Sequence, residues 1–485
     1  KKQFNFLIQM LTNKKTKIVA TLGPACSTRE VIKDMVEAGV NVFRVNFSHA
    51  DYNDVKEKIN LIRGLNEEFG YTTAILGDLQ GPKLRVGVME EGVVVHDGDL
   101  ITFTTAEDII GTAKKVFMKY QNFPNDVNPG ERILLDDGKL IFEIVETDKK
   151  SEVIARVIQG GELKSKKGVN LPNTKISLPA MTEKDIADAL FAIEQNVDWI
   201  ALSFVKTPQD LQELQELIAK NSDCKIPIIA KIEMPEALEN IDKIVAYCDG
   251  LMVDRGDLGV ELPAHEVPLV QKELIRKAKT ARIPVIVATQ MMETMITSLT
   301  PTRAEVNDVA NSVMDGADAV MLSGETATGN YPVQVIQKMS QIIQAVEDSP
   351  LIHVPQNTPQ IKTKRFITKT ICHHAATMAN SIHAKAICTL TNSGYTAFQI
   401  SAWRPNAHIL VFTSNRRILT QLNLLWGVKS FFYEKTVSTD DTVTDINQIV
   451  KQKGFVQKGD YLINLAAMPI KDKGMVNTLR VSEIE

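Results

Sequence analysis

No stretch of this 485-residue chain is apolar for the roughly 18 residues that a membrane span requires. The five cysteines, Cys26, Cys224, Cys248, Cys372 and Cys388, are odd in number and scattered, with no CxxC pair. That pattern suits a reducing cytoplasm and excludes a disulfide scaffold. A net charge of −4 without any basic block argues against nucleic acid as a partner. There is no GxxxxGK[ST] phosphate loop, no GxGxxG after an apolar run, and no HExxH. P-loop, dinucleotide-fold and zincin chemistry are therefore set aside. The adjacent His373 and His374 fall within a helical pattern, where they pack or cap. The opening KKQFNFLIQMLTNKK lacks small-residue cleavage chemistry and runs directly into strand-like sequence, so residues 1–14 read as a short arm or leader remnant.

What the chain does have is repetition. At 44% hydrophobic it can bury a sizeable core, and its length suggests about three domains. From Lys17 one unit recurs: a short apolar run, a polar tip, then a helix-patterned segment. The runs begin at Lys17, Asn41, Thr73, Trp199, Pro227, Gly250, Pro284 and Ala319. Continuous Val/Ile/Leu runs indicate strands covered on both faces, as in a parallel sheet. Eight such units in series predict an eight-stranded TIM barrel. One intervening helix is expected to open at Thr300-Pro301, carry Val306, Val309, Ala310, Val313 and Met314 on its apolar side, and stop at Gly316.

The ends of the runs carry the functional signal. They present Thr21, Asn46 and Ser48, Asp78, Ser203, Lys231 and Glu233, Arg255 and Asp257, Thr289 and Gln290, and Ser323 and Glu325. Nearly every run turns polar at its C-terminal end, where barrel enzymes gather their catalytic groups. In a strand, residues i and i+2 share a face, so Lys231 and Glu233 point the same way. If the following strand is a parallel neighbour, Asp257 arrives at the same end. Two carboxylates beside a lysine suit a divalent metal and an anionic substrate. Arg44 and Arg85 add two guanidinium forks suited to phosphate. Gly256 lets backbone N–H groups approach an anion closely.

The third and fourth units are too far apart. Between them VVVHDGDLITFT, RILLDDGKLIFEIV and EVIARVIQGGELK alternate and are broken by Asp-Gly or Gly-Gly, which predicts three β-hairpins. An all-β domain over 84–178, inserted into a barrel of 15–83 and 179–350, is placed to act as a water-excluding lid. The stretch HVPQNTPQIKTK reads as a linker into a C-terminal open-sheet α/β domain over 351–485. In that domain Thr391, Asn392, Ser393, Gly394 and Thr396 lie between a strand and a helix, as either an anion cradle or an ordinary cap.

Long, ordered motifs then match one family: KIVATLGPA, RVNFSHA, DLQGPKLRV, KKGVNLP, AKIEMPEAL, DRGDLGVELP, ATQMMETM, PTRAEVNDVANSVMDGADAVMLSGETATGNYP and TNSGYTA. Over nearly its whole length the chain resembles pyruvate kinase. The resemblance implies transfer of a phosphoryl group from phosphoenolpyruvate to ADP, giving pyruvate and ATP in glycolysis. It also implies magnesium or manganese as cofactor, a phosphorylated small-molecule effector and a homotetramer. Carried over by position, Lys231 stabilises the phosphoryl group in flight, and Glu233 and Asp257 hold the metal. Gly256 and Asp257 offer backbone N–H groups to the substrate carboxylate, and Thr289 lies beside the enolate. Arg44 and Arg85 grip phosphates, while Asn46, His49 and Lys167 face the nucleotide. Rival readings are a metal-dependent enolate lyase or aldolase and a catalytically silent phosphate sensor; neither explains a lysine aimed at a phosphoryl group.

Two departures from the family stand out. Potassium-dependent members carry an acidic residue where this chain has Lys83, and Leu79, Gln80 and Val86 also follow the potassium-independent pattern. Asn46, Ser48, Asp78 and Leu79 are then the remnant of a monovalent-cation site, with the Lys83 ammonium standing in for potassium. Asp254 replaces the family's usual alanine. It is expected to point away from the substrate or to pair with a nearby cation.

Overall fold

The computed structural model describes residues 14–172, 174–351, 354, 365–435, 438–468 and 475–485, without the side chains of His49 and Thr439. The arm, except Lys14, and the linker stretch, except Val354, lie outside the described residues.

Eight parallel strands close into a barrel: Lys17–Thr21, Val42–Asn46, Ala74–Asp78, Trp199–Leu202, Ile228–Ile232, Gly250–Asp254, Val285–Ala288 and Ala319–Leu322. The first pairs with the eighth, Lys17 opposite Ala319. Every run expected to be a barrel strand is one. Alternation sorts their residues into two cores. Val19, Val42, Leu76, Trp199, Ile229, Met252, Ile286 and Met321 fill the barrel interior. Ile18, Phe43, Ile75, Ile200, Ile228 and Val320 face the surrounding helices. The helix expected to open at Pro301 is Arg303–Asp315, two residues further on. Its true cap is Thr302, whose hydroxyl accepts from Glu305 N–H at 3.2 Å in a reciprocal box. Gly316 ends it with φ 98°, as expected.

The insertion is a sheet domain, but its pairing corrects two of the three expected hairpins. Arg132–Leu135 and Leu140–Thr147 do form one, Leu135 opposite Leu140. Val94–Val95 and Leu100–Thr104 do not pair with each other. The former joins Gly161–Glu162, and the latter runs beside Glu152–Gln159. The reason lies at Gly160 and Gly161. A side chain on Gly160 would sit 2.3 Å from the Val95 carbonyl, and Gly161 takes φ 156°. The Gly-Gly pair therefore turns the chain away toward Val95 and closes no hairpin on itself. A one-turn helix, Phe123–Asp126, interrupts the otherwise all-β texture.

The C-terminal region holds a five-stranded sheet, four strands parallel and the edge strand Thr478–Glu483 antiparallel. That edge strand and the helix Thr439–Gln452 are absent from the expected elements. This region docks on the N-terminal end of the barrel. Leu424 plugs the interior core, the Trp199 indole N–H donates to Gln421 O at 3.0 Å, and the buried Arg404 pairs with Asp318 at 3.0 Å. The opposite, C-terminal end stays open under the insertion. Among the described residues no helix is long and apolar enough to cross a membrane, and none of the five cysteines is paired.

The insertion meets the barrel through polar contacts that include the buried Asn170 Nδ2 donating to Glu261 Oε1 at 2.8 Å and Lys206 donating to the Ile176 and Leu178 carbonyls at 3.1 and 2.9 Å. Burial pushes the Glu261 carboxyl up to about 7, against the opposing Asn170 hydrogen bond. A carboxyl with a raised folded pKa contributes stability below its unfolded value, and that stability is lost as pH rises through about 7. Glu261→Gln is therefore expected to stabilise the protein at pH 8, by at most about 3 kcal/mol, and to give no gain near pH 4. Thermal unfolding at the two pH values measures this, and an equal gain at both contradicts it.

Candidate active site

The polar ends of the barrel strands continue the inward-facing positions. Parity carries Val19 to Thr21, Val42 to Arg44, Leu76 to Asp78, Ala201 to Ser203, Ile229 to Lys231 and Glu233, and Met252 to Asp254. All of these side chains but Thr21 line a cleft of 980 Å³ at the C-terminal end of the barrel. A second cavity, of 720 Å³, lies at the other end, between barrel and C-terminal sheet, and none of these residues lines it.

Lys231 is the centre of the cluster. Its ammonium lies 2.9 Å from Glu233 Oε1, 3.3 Å from Asp254 Oδ2 and 3.5 Å from Asp78 Oδ1, and donates to Ser203 Oγ at 2.8 Å. Burial alone would lower its pKa. The carboxylates of Asp78, Glu233 and Asp254 outweigh burial and hold it above the ordinary lysine value. Glu233 is displaced upward by its own burial, against the pull of Lys231. Burial would raise the Asp254 carboxyl as well, but the Lys231 ammonium beside it outweighs burial and holds it below the usual carboxylate range. The second Glu233 oxygen accepts the backbone N–H of Phe204 at 2.6 Å, a residue bent to φ 53° to deliver it. Arg44 pairs with Asp78 at 2.6 Å and donates to Thr21 Oγ1 at 3.0 Å.

The sixth strand ends at Asp254, and Arg255–Glu261 forms a helix whose first turn holds Gly256 and Asp257. Arg255 turns out of the cluster to Asp308, at 2.6 Å, and to the Thr289 carbonyl, at 2.7 Å. Thr289 and Gln290 both have left-handed φ, 66° and 55°, which is rare for a β-branched residue. That turn brings Thr289 Oγ1 to within 2.7 Å of Gly256 N–H, which donates to it, and 3.2 Å of Asp254 Oδ1. Lys83 reaches Asp257 Oδ1 at 3.1 Å from the loop after the third strand. Asn46 caps its own turn, accepting from Ser48 N–H at 3.1 Å. The Leu79 side chain is buried, and its carbonyl accepts from Ser203 at 2.7 Å.

The outer residues are more dispersed. Arg85 lines the cleft and donates to Lys166 O at 3.0 Å, whereas Lys167 pairs with Asp136 of the insertion at 2.8 Å. The side chain of His49 lies outside the described residues. In the C-terminal turn, Thr391 Oγ1 accepts from Gly394 N–H at 3.0 Å, and Thr396 is buried with its hydroxyl 2.9 Å from that of Thr389. Thr396 thus faces the sheet, and Asn392 and Ser393 remain exposed. His373 packs on the Trp403 ring at 4.1 Å.

Asp254 points into the cluster and pairs with Lys231, the cation-pairing alternative of the two expected for it. The Phe204 amide has no side-chain signature and was invisible in the residue pattern. One carboxylate oxygen from each of Glu233, Asp254 and Asp257 lies within 4.8 Å of the others. Glu233 Oε1 and Asp78 Oδ1 are buried with no hydrogen-bond partner beyond their ion pairs to Lys231. A hard divalent cation fits such an oxygen donor set.

The closed barrel with charged groups gathered at its open end is the arrangement of a TIM-barrel enzyme. Residues 13–336 match the family model described as pyruvate kinase, barrel domain, and residues 369–482 match pyruvate kinase, alpha/beta domain. A pyruvate kinase of Geobacillus stearothermophilus is 42% identical over 477 residues, covering 97% of this chain and 80% of the relative. One from Corynebacterium glutamicum is 41% identical over 469 residues, 97% of each. The crystal structure of a pyruvate kinase from Cryptosporidium parvum superposes with a TM-score of 0.90 at 33% identity, over 98% of this chain and 97% of that one. The chain belongs to the pyruvate kinase family.

Proposed function

We propose that this enzyme transfers the phosphoryl group of phosphoenolpyruvate to ADP through an enolate, with Lys231 as the residue that meets the charge in flight. What carries the reading is the Lys231 ammonium, buried at the mouth of the cleft between carboxylates from the third, fifth and sixth barrel strands. An ammonium held there needs no reorganisation when negative charge develops in front of it. Arg44, fixed by Asp78 and Thr21, grips the phosphate. The first-turn N–H groups of Gly256 and Asp257 take the substrate carboxylate, the former in exchange for the Thr289 hydroxyl it now holds. Thr289 then stands beside the enolate, on the route by which it is protonated. Glu233 and Asp257 would hold the divalent cation on which the family depends. When bound, that cation supplies positive charge to the substrate oxygens.

Arg85 from the cleft wall and Asn46, His49 and Lys167 are assigned to the nucleotide phosphates. The insertion acts as the lid that excludes water from them. A phosphorylated effector at Thr391, Asn392, Ser393 and Gly394, a homotetramer and a cytoplasmic location complete the reading. Potassium is not required, because Lys83 already places an ammonium 3.1 Å from Asp257.

Two variants test these assignments. Lys231→Met should lose at least about a thousandfold in turnover while still binding phosphoenolpyruvate. Calorimetric binding alongside stopped-flow assay separates the two, and near-normal turnover would sink the mechanism. For the monovalent ion, replacing tetramethylammonium with potassium at fixed ionic strength should leave the native rate unchanged and raise that of Lys83→Glu severalfold. A severalfold potassium response of the native enzyme contradicts the role given to Lys83.

A further inference from the structure

We propose that Asp254 is a third carboxylate directed at the divalent cation, joining Glu233 and Asp257. The inference rests on the reading of those two as metal ligands and goes beyond it. Asp254 is the last residue of its strand, on the inner face, one register step beyond the pair Ile232 and Val253, and therefore level with Glu233. It is 5% exposed. Its Oδ2 is held by Lys231 at 3.3 Å, while Oδ1 lies 3.2 Å from the Thr289 hydroxyl, whose proton goes to the nearer Ala288 carbonyl at 2.6 Å.

The distances suit an ion. The three donor oxygens lie within 4.8 Å of one another. Octahedral magnesium with ligands at about 2.1 Å sets adjacent oxygens about 3.0 Å apart and opposite ones about 4.2 Å apart, so the three carboxylates close on the ion by drawing inward around it.

Charge gives the second argument. Arg44 is committed to Asp78, and Lys83 to Asp257. Lys231 then faces Glu233 and Asp254 together, one ammonium against two carboxyl groups. The Lys83 ammonium draws on Asp257, one of the two ligands already assigned. Asp254 restores to the site the charge that Lys83 withdraws. With Glu233 and Asp78 still beside Lys231, removing Asp254 does not strand a buried cation, so substitution there is compatible with folding.

The test uses Mn²⁺ without substrate, bound to the native enzyme and to Asp254→Ala, with Asp254→Ser as the second variant should Asp254→Ala not fold. Affinity is read by electron paramagnetic resonance titration, and coordinated waters are counted by pulsed resonance. The variant should bind at least about tenfold more weakly and carry one more water than the native enzyme. An unchanged water count overturns the inference even if affinity falls, because Asp254 would then act only by neutralising Lys231. Failure of the native enzyme to bind Mn²⁺ would overturn the metal reading itself.

Discussion

A single ammonium, that of Lys231, is buried at the open end of the barrel, and the neighbouring groups are arranged around it. Taking such a charge out of water costs several kcal/mol unless partners compensate. Here Glu233 comes from its own strand, Asp254 from the next, and Asp78 and Ser203 from the two strands on its other side. Each partner needs support of its own. Arg44 braces Asp78, the strained Phe204 amide braces Glu233, and the left-handed turn at Thr289 braces Asp254. The result is a cation fixed in place before substrate arrives.

The barrel makes this possible by geometry. Parallel strands with alternating side chains deliver every second residue to the axis. An interior filled by Val19, Trp199, Ile229 and Met252 therefore becomes a ring of hydroxyl and charged groups one or two steps further on. The other end is closed by the C-terminal sheet through Leu424, Trp199 and the Arg404–Asp318 pair. The cluster around Lys231 thus lies at one mouth, where the inserted domain meets the barrel through Asn170 and Glu261.

Much of this was legible in the residues. Buried parallel strands read as apolar runs, and a polar end on nearly every run marks a catalytic face. The same parity that places Lys231 beside Glu233 also places Asp254 inward, two residues after Met252, so its position was available before its partner was. Other features carried no signal. A backbone donor such as Phe204 has no side-chain signature, and the pairing of Gly161–Glu162 with Val94–Val95 depends on how closely Gly160 approaches a distant carbonyl. The strand Thr478–Glu483 is a mostly exposed edge, which blunts its alternation. The helix Thr439–Gln452 does show Val443, Ile446 and Val450 at helical spacing, a pattern as readable as that of the barrel helices.

The central claim is that the Lys231 cluster makes the barrel's open end a metal-assisted phosphoryl-transfer site. Formation of ATP from phosphoenolpyruvate and ADP, followed with magnesium present and again after the metal is chelated, tests it most directly. The account predicts rapid, stoichiometric formation of pyruvate and ATP with magnesium, and loss of both products without it. Turnover that persists after chelation, or consumption of phosphoenolpyruvate without ATP, would contradict it.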